Sequence, residues 1–228
     1  MPTTNRSLNY KIAMTGVFSA LSVVLALTPV GYIQIPGTFI SITIMHIPAI
    51  LAAITAGLGP GIAVGAVFGI TSLIRTAMSG GANPFFVNPA VSVLPRMLFP
   101  IAAWAIFKAF NAIPKMPKVI SGAFSAAIGT FVHTALVMFA IYAFYGSMLI
   151  EGMAQTFEKF GFAGWNLTGF NGYAAIMACT LLTNGFFEII AAVIICVVVL
   201  GSIYAVTNRK SKITKLSEAE GDDDSSEK

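Results

Sequence analysis

Three charged residues interrupt apolar stretches of this chain, and their side chains offer charged hydrogen bonds. Arg75, Arg96 and Glu188 each lie within a run of hydrophobic residues. A charge at the centre of a bilayer costs about 2.5–3.5 kcal/mol on insertion scales, so such residues usually face a bundle interior and mark a site. They are therefore the first candidates for a binding site.

Polar or small residues recur every three or four positions in these stretches and in the fifth predicted span, which places each set on one helix face. Arg96 lies about 10 Å below the outer end of its predicted helix at 1.5 Å per residue, so the polar cluster opens outward. Small residues let helix backbones approach, which puts His133 inside the bundle. The sets are Asn88, Ser92 and Arg96; Thr180, Asn184 and Glu188; Thr71, Arg75 and Ser79; and Gly122, Ala126, Gly129 and His133.

These polar residues also have structural alternatives, which the sequence leaves open. Arg75 would snorkel to the outer headgroups, and His133 would be a hydrogen-bonded packing residue. Asn184 and Glu188 would pair with Arg96 or with backbone freed by a proline. His46 is interpreted as structural.

The composition indicates an integral membrane protein. Of 228 residues, 57% are hydrophobic and 10% are charged, which excludes an ordinary soluble domain. The net charge of +4 comes from the chain ends and one loop, so it indicates topology and not nucleic-acid binding. Cys179 and Cys196 are interpreted as small buried hydrophobes, because they share one apolar segment and lack metal-ligand spacing.

The apolar runs predict an all-α bundle of six transmembrane helices with external lid loops. A turn at 57–61, rich in Gly and Pro, separates two short spans. Residues 1–206 form one membrane domain, and 207–228 form a polar, disordered tail. The predicted spans are 10–29, 41–57, 60–78, 90–110, 119–145 and 172–206.

Basic residues orient this bundle in the bilayer with both termini in the cytoplasm. They precede the first span, surround the loop after the fourth and follow the sixth. This leaves three loops outside, at 30–40, 79–89 and 146–171.

Two of the external loops have the composition of lids. In the loop 79–89, Phe85 and Phe86 would wall an apolar pocket whose polar edge comes from Asn83 and Asn88. The loop 30–40, which contains Gln34, alternates apolar and polar residues around a Pro-Gly turn and predicts a small hairpin over the site.

Several segments resemble the substrate-binding S components of energy-coupling factor (ECF) vitamin transporters, over roughly residues 8–205. The resemblance rests on Ile42-Thr43-Ile44-Met45-His46-Ile47-Pro48, the turn 57–61 and the short third span. It also rests on Asn83-Pro84-Phe85-Phe86-Val87-Asn88-Pro89 leading to Ser92-Val93-Leu94-Pro95-Arg96. The segments Met45–Pro48 and Asn83–Pro89 look most like the pantothenate-specific group.

The resemblance implies a subunit of the bacterial cell membrane that binds a vitamin from outside and is not an enzyme. A membrane coupling subunit and two cytoplasmic ATPases would supply the energy and use the ATP, and this chain has no nucleotide-binding loop, cofactor or metal site of its own. Family members dock on the coupling subunit through small residues of the first helix. The matching positions here are Gly16, Ala20 and Ser19, with Gly16 in place of one of the family's usual two alanines.

Pantothenate carries one carboxylate, an amide and two hydroxyls, which suggests roles for the candidate residues. Arg96 would bind the carboxylate through two parallel hydrogen bonds, and Glu188 would orient a neighbour. The amide and hydroxyls would contact Asn83, Asn88, His133 and Asn184, and Arg75, Phe85 and Gln34 complete the predicted substrate-binding set.

Three other functions stay open at this point. The chain would be an S component for folate or riboflavin, or a stand-alone small-solute carrier or channel, although paired broken helices are not evident. A membrane-embedded hydrolase is the weakest alternative, because neither His46 nor His133 has a nucleophile or acid partner by motif.

Overall fold

Long apolar helices dominate the fold. The structure is a computed structural model that describes residues 8–34, 41–78, 84–159 and 169–226. The helices are α1 (Leu8–Leu27), α2 (Ile47–Thr55), α3 (Leu58–Met78), α4 (Pro89–Ser92), α5 (Leu94–Asn111), α6 (Lys118–Lys159), α7 (Gly169–Thr180) and α8 (Phe186–Ser226). Shorter elements are 3-10 turns at Pro29–Gly31 and Pro84–Val87, strands β1 (Tyr32–Gln34) and β2 (Ser41–Thr43), and a π-helix at Leu181–Gly185 between α7 and α8.

Within the described residues, five helical segments are long and apolar enough to cross a bilayer. Many large hydrophobic side chains point outward from them, as expected where the surroundings are lipid. The predicted all-α membrane fold is therefore confirmed. The segments are Leu8–Leu27, Leu58–Met78, Pro89–Asn111, Lys118–Glu151 and Gly169–Thr207.

The predicted second span, 41–57, is a much shorter helix than expected. Residues Ser41–Thr43 form β2, and α2 has only nine residues, all of them buried. At 1.5 Å per residue α2 is about 14 Å long, too short to cross a bilayer. It packs against α1, α3, α5, α6 and α8, so it is a core helix of the bundle.

The predicted break between the second and third spans is confirmed and lies at Gly57. This residue has φ of +108°, a conformation that glycine adopts without the steric penalty of a side chain. Pro60 lies in the first turn of α3, where its missing N–H breaks no helical hydrogen bond.

The predicted hairpin in the first external loop is present. Strands β1 and β2 pair antiparallel, with Tyr32 opposite Thr43 and Gln34 opposite Ser41. The turn that joins them, with its Pro-Gly pair, lies outside the described residues. The second predicted lid is described only from Pro84 onward, where a 3-10 turn leads into α4.

Two segments that were predicted to lack regular structure are helical. The expected external loop 146–171 is helical through Lys159, since α6 continues past non-helical angles at Tyr145 (φ −138°, ψ 28°). The tail predicted as disordered continues α8 to Ser226. The division into a membrane domain and a tail stays a prediction.

Close helix contacts at glycines bring the buried elements together. A Cβ built on Gly65 of α3 would lie 2.1 Å from the carbonyl oxygen of Arg96, and one on Gly122 of α6 would lie 2.2 Å from Leu200. A neighbouring helix approaches this closely only where the side chain is missing, as it is in glycine. The small face predicted for α6 is confirmed, and His133 on that face is buried.

Candidate functional site

Two prolines shape the backbone around Arg96. Pro95 has no N–H to give to the carbonyl of Val91 four residues earlier, and the Arg96 Nη1 donates to that oxygen instead, at 3.1 Å. The same nitrogen donates to the Ser92 carbonyl at 2.7 Å. Pro100 likewise leaves the Arg96 carbonyl without its helical donor, and this is the oxygen that faces Gly65.

Aromatic rings enclose the guanidinium of Arg96. Its Cζ lies 4.9 Å from the ring centroid of Phe68 and 5.0 Å from that of Phe86, within the range of cation–π attraction. The Ser92 hydroxyl donates to the carbonyl of Phe86, which fixes the 3-10 turn over the arginine. Arg96 is 5% exposed, and its Nε has no hydrogen-bond partner among the described residues.

Two histidines from different helices stack beside this arginine. The rings of His46 and His133 are 5.2 Å apart between centroids and 14° from parallel, and Phe99 meets His133 edge-on at 4.8 Å. His46 Nε2 lies 3.0 Å from the Thr130 hydroxyl. Within the described part of the chain, His46 Nδ1 and both nitrogens of His133 are buried without a partner.

Glu188 contacts the β1–β2 hairpin rather than Arg96. Its Oε1 accepts from the Thr43 backbone N–H at 2.9 Å and from the Thr43 hydroxyl at 2.5 Å. The side chain of Thr134 also hydrogen-bonds to this carboxylate. The sequence left open that Glu188 pairs with Arg96. Within the described residues, Glu188 bonds to Thr43 instead.

The chemistry that this cluster supports is polar recognition. One buried cation with a free donor suits an anionic group, and imidazole nitrogens donate to or accept from neutral polar groups according to tautomer. The described residues contain no group of three His, Cys, Asp or Glu side chains placed to hold a metal ion.

The remaining predicted site residues lie in several places. Asn88 caps α4, with its side-chain oxygen accepting from Ala90 N–H at 2.9 Å, and Phe85 packs on Tyr145 at 5.6 Å between ring centroids. Arg75 lies in the last turn of α3, partly exposed. Their roles in binding stay predictions.

Three further residues of the predicted set are placed only in part. Asn184 is partly buried in the π-helix, an element that is frequent at functional sites. Gln34 ends β1, and its side chain is outside the described part of the chain. Asn83 lies outside the described residues altogether.

The structure adds residues that the sequence did not identify as part of the site. Phe68, Phe99 and Thr130 line the cluster. Of the two phenylalanines that were predicted to wall the pocket, Phe86 covers Arg96. His46, interpreted from the sequence as structural, stacks directly on His133.

The residues predicted to dock on a partner lie on the outer surface of α1. Gly16 and Ala20 are exposed, and Ser19 is half-buried. A Cβ on Gly16 would meet nothing within 4 Å. The buried face of α1 carries Phe18, Ser22 and Ala26 instead, so Gly16 and Ala20 do not pack inside the bundle.

The fold and the buried polar cluster together define a membrane-embedded solute-binding protein. The model of the family described as "ECF transporter, substrate-specific component" matches residues 10–211. The chain therefore belongs to the substrate-specific components of ECF transporters, and it is a transport protein for vitamin uptake rather than an enzyme.

The chain is also similar to an individual curated protein. The chain is 24% identical over 212 residues to a protein called "Pantothenic acid transporter PanT" from Lactococcus lactis subsp. cremoris (strain MG1363), covering 86% of this chain and 95% of that protein. The resemblance stated from the sequence is confirmed.

Proposed function

We propose that this chain binds pantothenate from outside the cell and delivers it through a membrane coupling subunit driven by two cytoplasmic ATPases. It would lie in the cell membrane with both termini in the cytoplasm, and ATP would be used by the partners alone. Support for the substrate comes from the similarity to a protein named for pantothenic acid transport and from the chemistry around Arg96.

The observation that carries the proposal is the buried guanidinium of Arg96. A desolvated cation is costly unless an opposite charge or strong acceptors compensate it. Here two backbone carbonyls bind Nη1, whereas Nε has no partner among the described residues. A carboxylate that accepts from Arg96 would supply the missing charge and hydrogen bonds.

The histidine pair could bind a neutral polar group of the ligand next to that carboxylate. Besides its carboxylate, pantothenate has an amide and two hydroxyls that could hydrogen-bond to the histidines. His133 has both ring nitrogens unpartnered within the described residues, and each imidazole nitrogen can donate or accept. Phe68, Phe86 and Phe99 supply apolar contact for the carbon skeleton of the vitamin.

The position predicted for the site, near the outer end of the bundle, also supports uptake. Arg96 lies in the first turn of α5, next to the α4 and Pro84–Val87 segment that was predicted to face outward. Gly16 and Ala20 lie on a different, exposed helix surface. Binding and docking would therefore use separate parts of the molecule.

Three experiments test this function. Mass spectrometry of the small molecules that co-purify with the detergent-solubilised protein should find pantothenate, and calorimetry should show tight binding of pantothenate but not of riboflavin or folate. Binding of one of those vitamins in its place would assign another substrate. Energised uptake by this chain alone in proteoliposomes would instead favour a stand-alone carrier.

A further inference from the structure

The hydroxyl of Thr130 bonds differently from those of other threonines in the helices. Threonine hydroxyls inside a helix can donate to the carbonyl four residues earlier, as those of Thr71, Thr180 and Thr183 do at 2.7–2.9 Å. In the described part of the chain the hydroxyl of Thr130, in α6, has one partner, which is Nε2 of His46 at 3.0 Å. The proton of this hydroxyl is therefore not used by its own helix.

The direction of this hydrogen bond sets which nitrogen of His46 carries the ring proton. A hydroxyl has one O–H to donate, and a neutral imidazole has one donor nitrogen and one acceptor nitrogen. If Thr130 donates to Nε2, the ring proton lies on Nδ1, and this Nδ1–H has no partner among the described residues. If Nε2–H donated to Thr130 instead, both the Thr130 proton and the Nδ1 lone pair would be unsatisfied.

Burial decides between the two directions. Thr130 and His46 are both 0% exposed, so an unsatisfied polar group in this pair has no water to replace its partner, which is costly. The arrangement with Thr130 as donor leaves one such group, and the reverse arrangement leaves two. An imidazolium would in addition bury a charge. The geometry therefore favours a neutral His46 with its proton on Nδ1.

The position of His46 at the start of α2 agrees with this tautomer. A bare Nδ1 on an N-cap residue would be able to accept from a backbone N–H of the first turn, as N-cap side chains commonly do. His46 makes no such bond. Pro48 has no N–H to give, and the N–H of Ala49 donates to the His46 carbonyl at 3.2 Å. A nitrogen that donates loses nothing by the lack of a capping bond.

This Nδ1–H belongs to the same buried cluster as Arg96. His133 stacks on the face of His46, and Phe99 meets the ring at 6.4 Å between centroids and 76°. His133 also contacts Phe68, whose ring lies against the guanidinium of Arg96. The cluster thus contains the Nε–H of Arg96 and the Nδ1–H of His46, and neither has an acceptor among the described residues.

We propose that Thr130 is a positioning residue that fixes His46 in the Nδ1–H tautomer, so that the site presents a second hydrogen-bond donor in addition to Arg96. The ligand group that fits this donor is an acceptor. In pantothenate it is the amide carbonyl oxygen, while the carboxylate binds Arg96. The choice of ligand group rests on the function proposed above, whereas the tautomer is a property of the protein without ligand.

Nitrogen NMR of the imidazole rings measures the tautomer without any ligand. The chain has two histidines, so isotope labelling of histidine nitrogens gives two rings, and His133→Phe leaves the signals of His46 alone. A protonated nitrogen differs strongly in chemical shift from a bare one, and Nε2 couples to both C–H protons of the ring whereas Nδ1 couples strongly to one. We expect the proton on Nδ1 of His46. A proton on Nε2 would overturn the proposal, whichever vitamin binds.

Variants of Thr130 test whether this residue sets the tautomer. Thr130→Val removes the hydroxyl and keeps the shape, so the His46 signals should move to a mixture of tautomers or to the Nε2–H form. Thr130→Ser keeps the hydroxyl and should keep the wild-type tautomer. Thr15→Val removes a hydroxyl that bonds to the Lys11 carbonyl of its own helix at 2.7 Å, and as the matched control it should change nothing. Wild-type His46 signals in Thr130→Val would contradict the role of Thr130.

Calorimetry with pantothenate and its thioamide analogue tests the ligand group. Sulfur is a weaker acceptor than an amide oxygen, so the thioamide should bind the wild-type protein about tenfold more weakly, the equivalent of one hydrogen bond. This loss should shrink in Thr130→Val and persist in Thr130→Ser and Thr15→Val. A loss that is absent from the wild type, or equal in the wild type and Thr130→Val, would contradict a donor fixed by Thr130. If pantothenate fails to bind the wild-type protein, the proposed function fails, and the NMR measurement still decides the tautomer.

Discussion

His46 and His133, which are 87 positions apart in the chain, stack nearly parallel with ring centroids 5.2 Å apart. His46 comes from the start of a buried helix too short to cross the membrane, and His133 comes from the middle of α6. Their contact joins the hairpin side of the molecule to the bundle interior beside Arg96. Both rings are buried, and three of their four nitrogens have no partner among the described residues.

Replacement of His133 by phenylalanine should separate stability from binding. His133→Phe keeps an aromatic ring in contact with Phe99 and removes two buried polar atoms, which each cost about 1–3 kcal/mol when unsatisfied. We expect the protein without ligand to be as stable as the wild type or more stable in a thermal unfolding assay, with pantothenate affinity reduced at least about tenfold, the equivalent of one hydrogen bond. His133→Ala, which leaves a cavity, should lose both. Unchanged affinity in His133→Phe would remove this residue from the site.

A methyl group on Gly65 should disturb the site from the opposite helix. A Cβ there would lie 2.1 Å from the Arg96 carbonyl oxygen, so α3 and α5 would have to separate. We expect Gly65→Ala to lower stability by about 1–3 kcal/mol, as overpacking does, and to weaken pantothenate binding in calorimetry. Gly59→Ala, on the same helix with nothing within 4 Å of the added atom, is the control and should leave both unchanged. Equal behaviour of the two variants would mean that the close contact does not position Arg96.

Bulk on the outer face of α1 should block transport without blocking binding. The double variant Gly16→Leu, Ala20→Leu covers small exposed residues that would allow close helix contact with a coupling subunit. We expect nearly normal pantothenate binding by the isolated subunit and loss of ATP-driven uptake by the reconstituted complex. Because Gly16 and Ala20 face away from the bundle, stability should not change.

The chain contains a matched control for this variant. Gly201 and Ala205 on α8 have the same spacing, and a Cβ on Gly201 also meets nothing within 4 Å. Gly201→Leu, Ala205→Leu should support uptake at the wild-type rate. Wild-type uptake by the α1 variant, or equal loss in both, would show that docking does not use this face of α1.

Ligand should order the second lid segment. Phe86 covers the guanidinium of Arg96 and is tied to Ser92, so a carboxylate bound to Arg96 would lie beneath this turn. We expect hydrogen exchange across residues 84–88, the described part of the predicted lid 79–89, to slow when saturating pantothenate is added, because a ligand beneath this turn reduces its local opening. Equal exchange with and without ligand would make the segment a static connector.

The sequence located the charged part of the site because a charge in an apolar run is visible without a structure. The burial of His133 was also predictable. Small residues precede it on the same helix face and indicate close helix packing, and Gly122 and Gly129 show such packing. The hairpin was also predictable, because alternation and a Pro-Gly turn are local signals.

Other features depend on tertiary contacts and have weak local signals. Phe68 lies in an apolar stretch, so no periodicity indicates that its ring faces Arg96, and no local pattern indicates that His46 stacks on His133. The start of α2 had a usable signal in Pro48, because proline is favoured in the first turn of a helix. The π-helix at Leu181–Gly185 breaks the regular spacing of Thr180, Asn184 and Glu188, and a four-residue pattern cannot reveal an inserted residue.

The predicted loop 146–171 was wrong over 146–159, which continue α6, and over its last residues, where α7 begins at Gly169. Residues 146–159 include good helix formers such as Leu149 and Met153, which favour a helix over a loop. The predicted end of the fifth span at 145 coincides with the non-helical angles at Tyr145.

The measurement that tests the central claim most directly is calorimetry with two ligands and two proteins. Wild-type protein and Arg96→Ala are each titrated with pantothenate and with its alcohol analogue, in which a hydroxymethyl group replaces the carboxylate. If Arg96 binds the carboxylate, Arg96→Ala should weaken pantothenate binding by about 2 kcal/mol or more, and Arg96→Lys should not restore it fully. The alcohol should bind the wild-type protein weakly, with little further loss in Arg96→Ala. An unchanged dissociation constant for pantothenate in a folded Arg96→Ala protein would contradict the assignment and leave Arg96 a structural residue of α5.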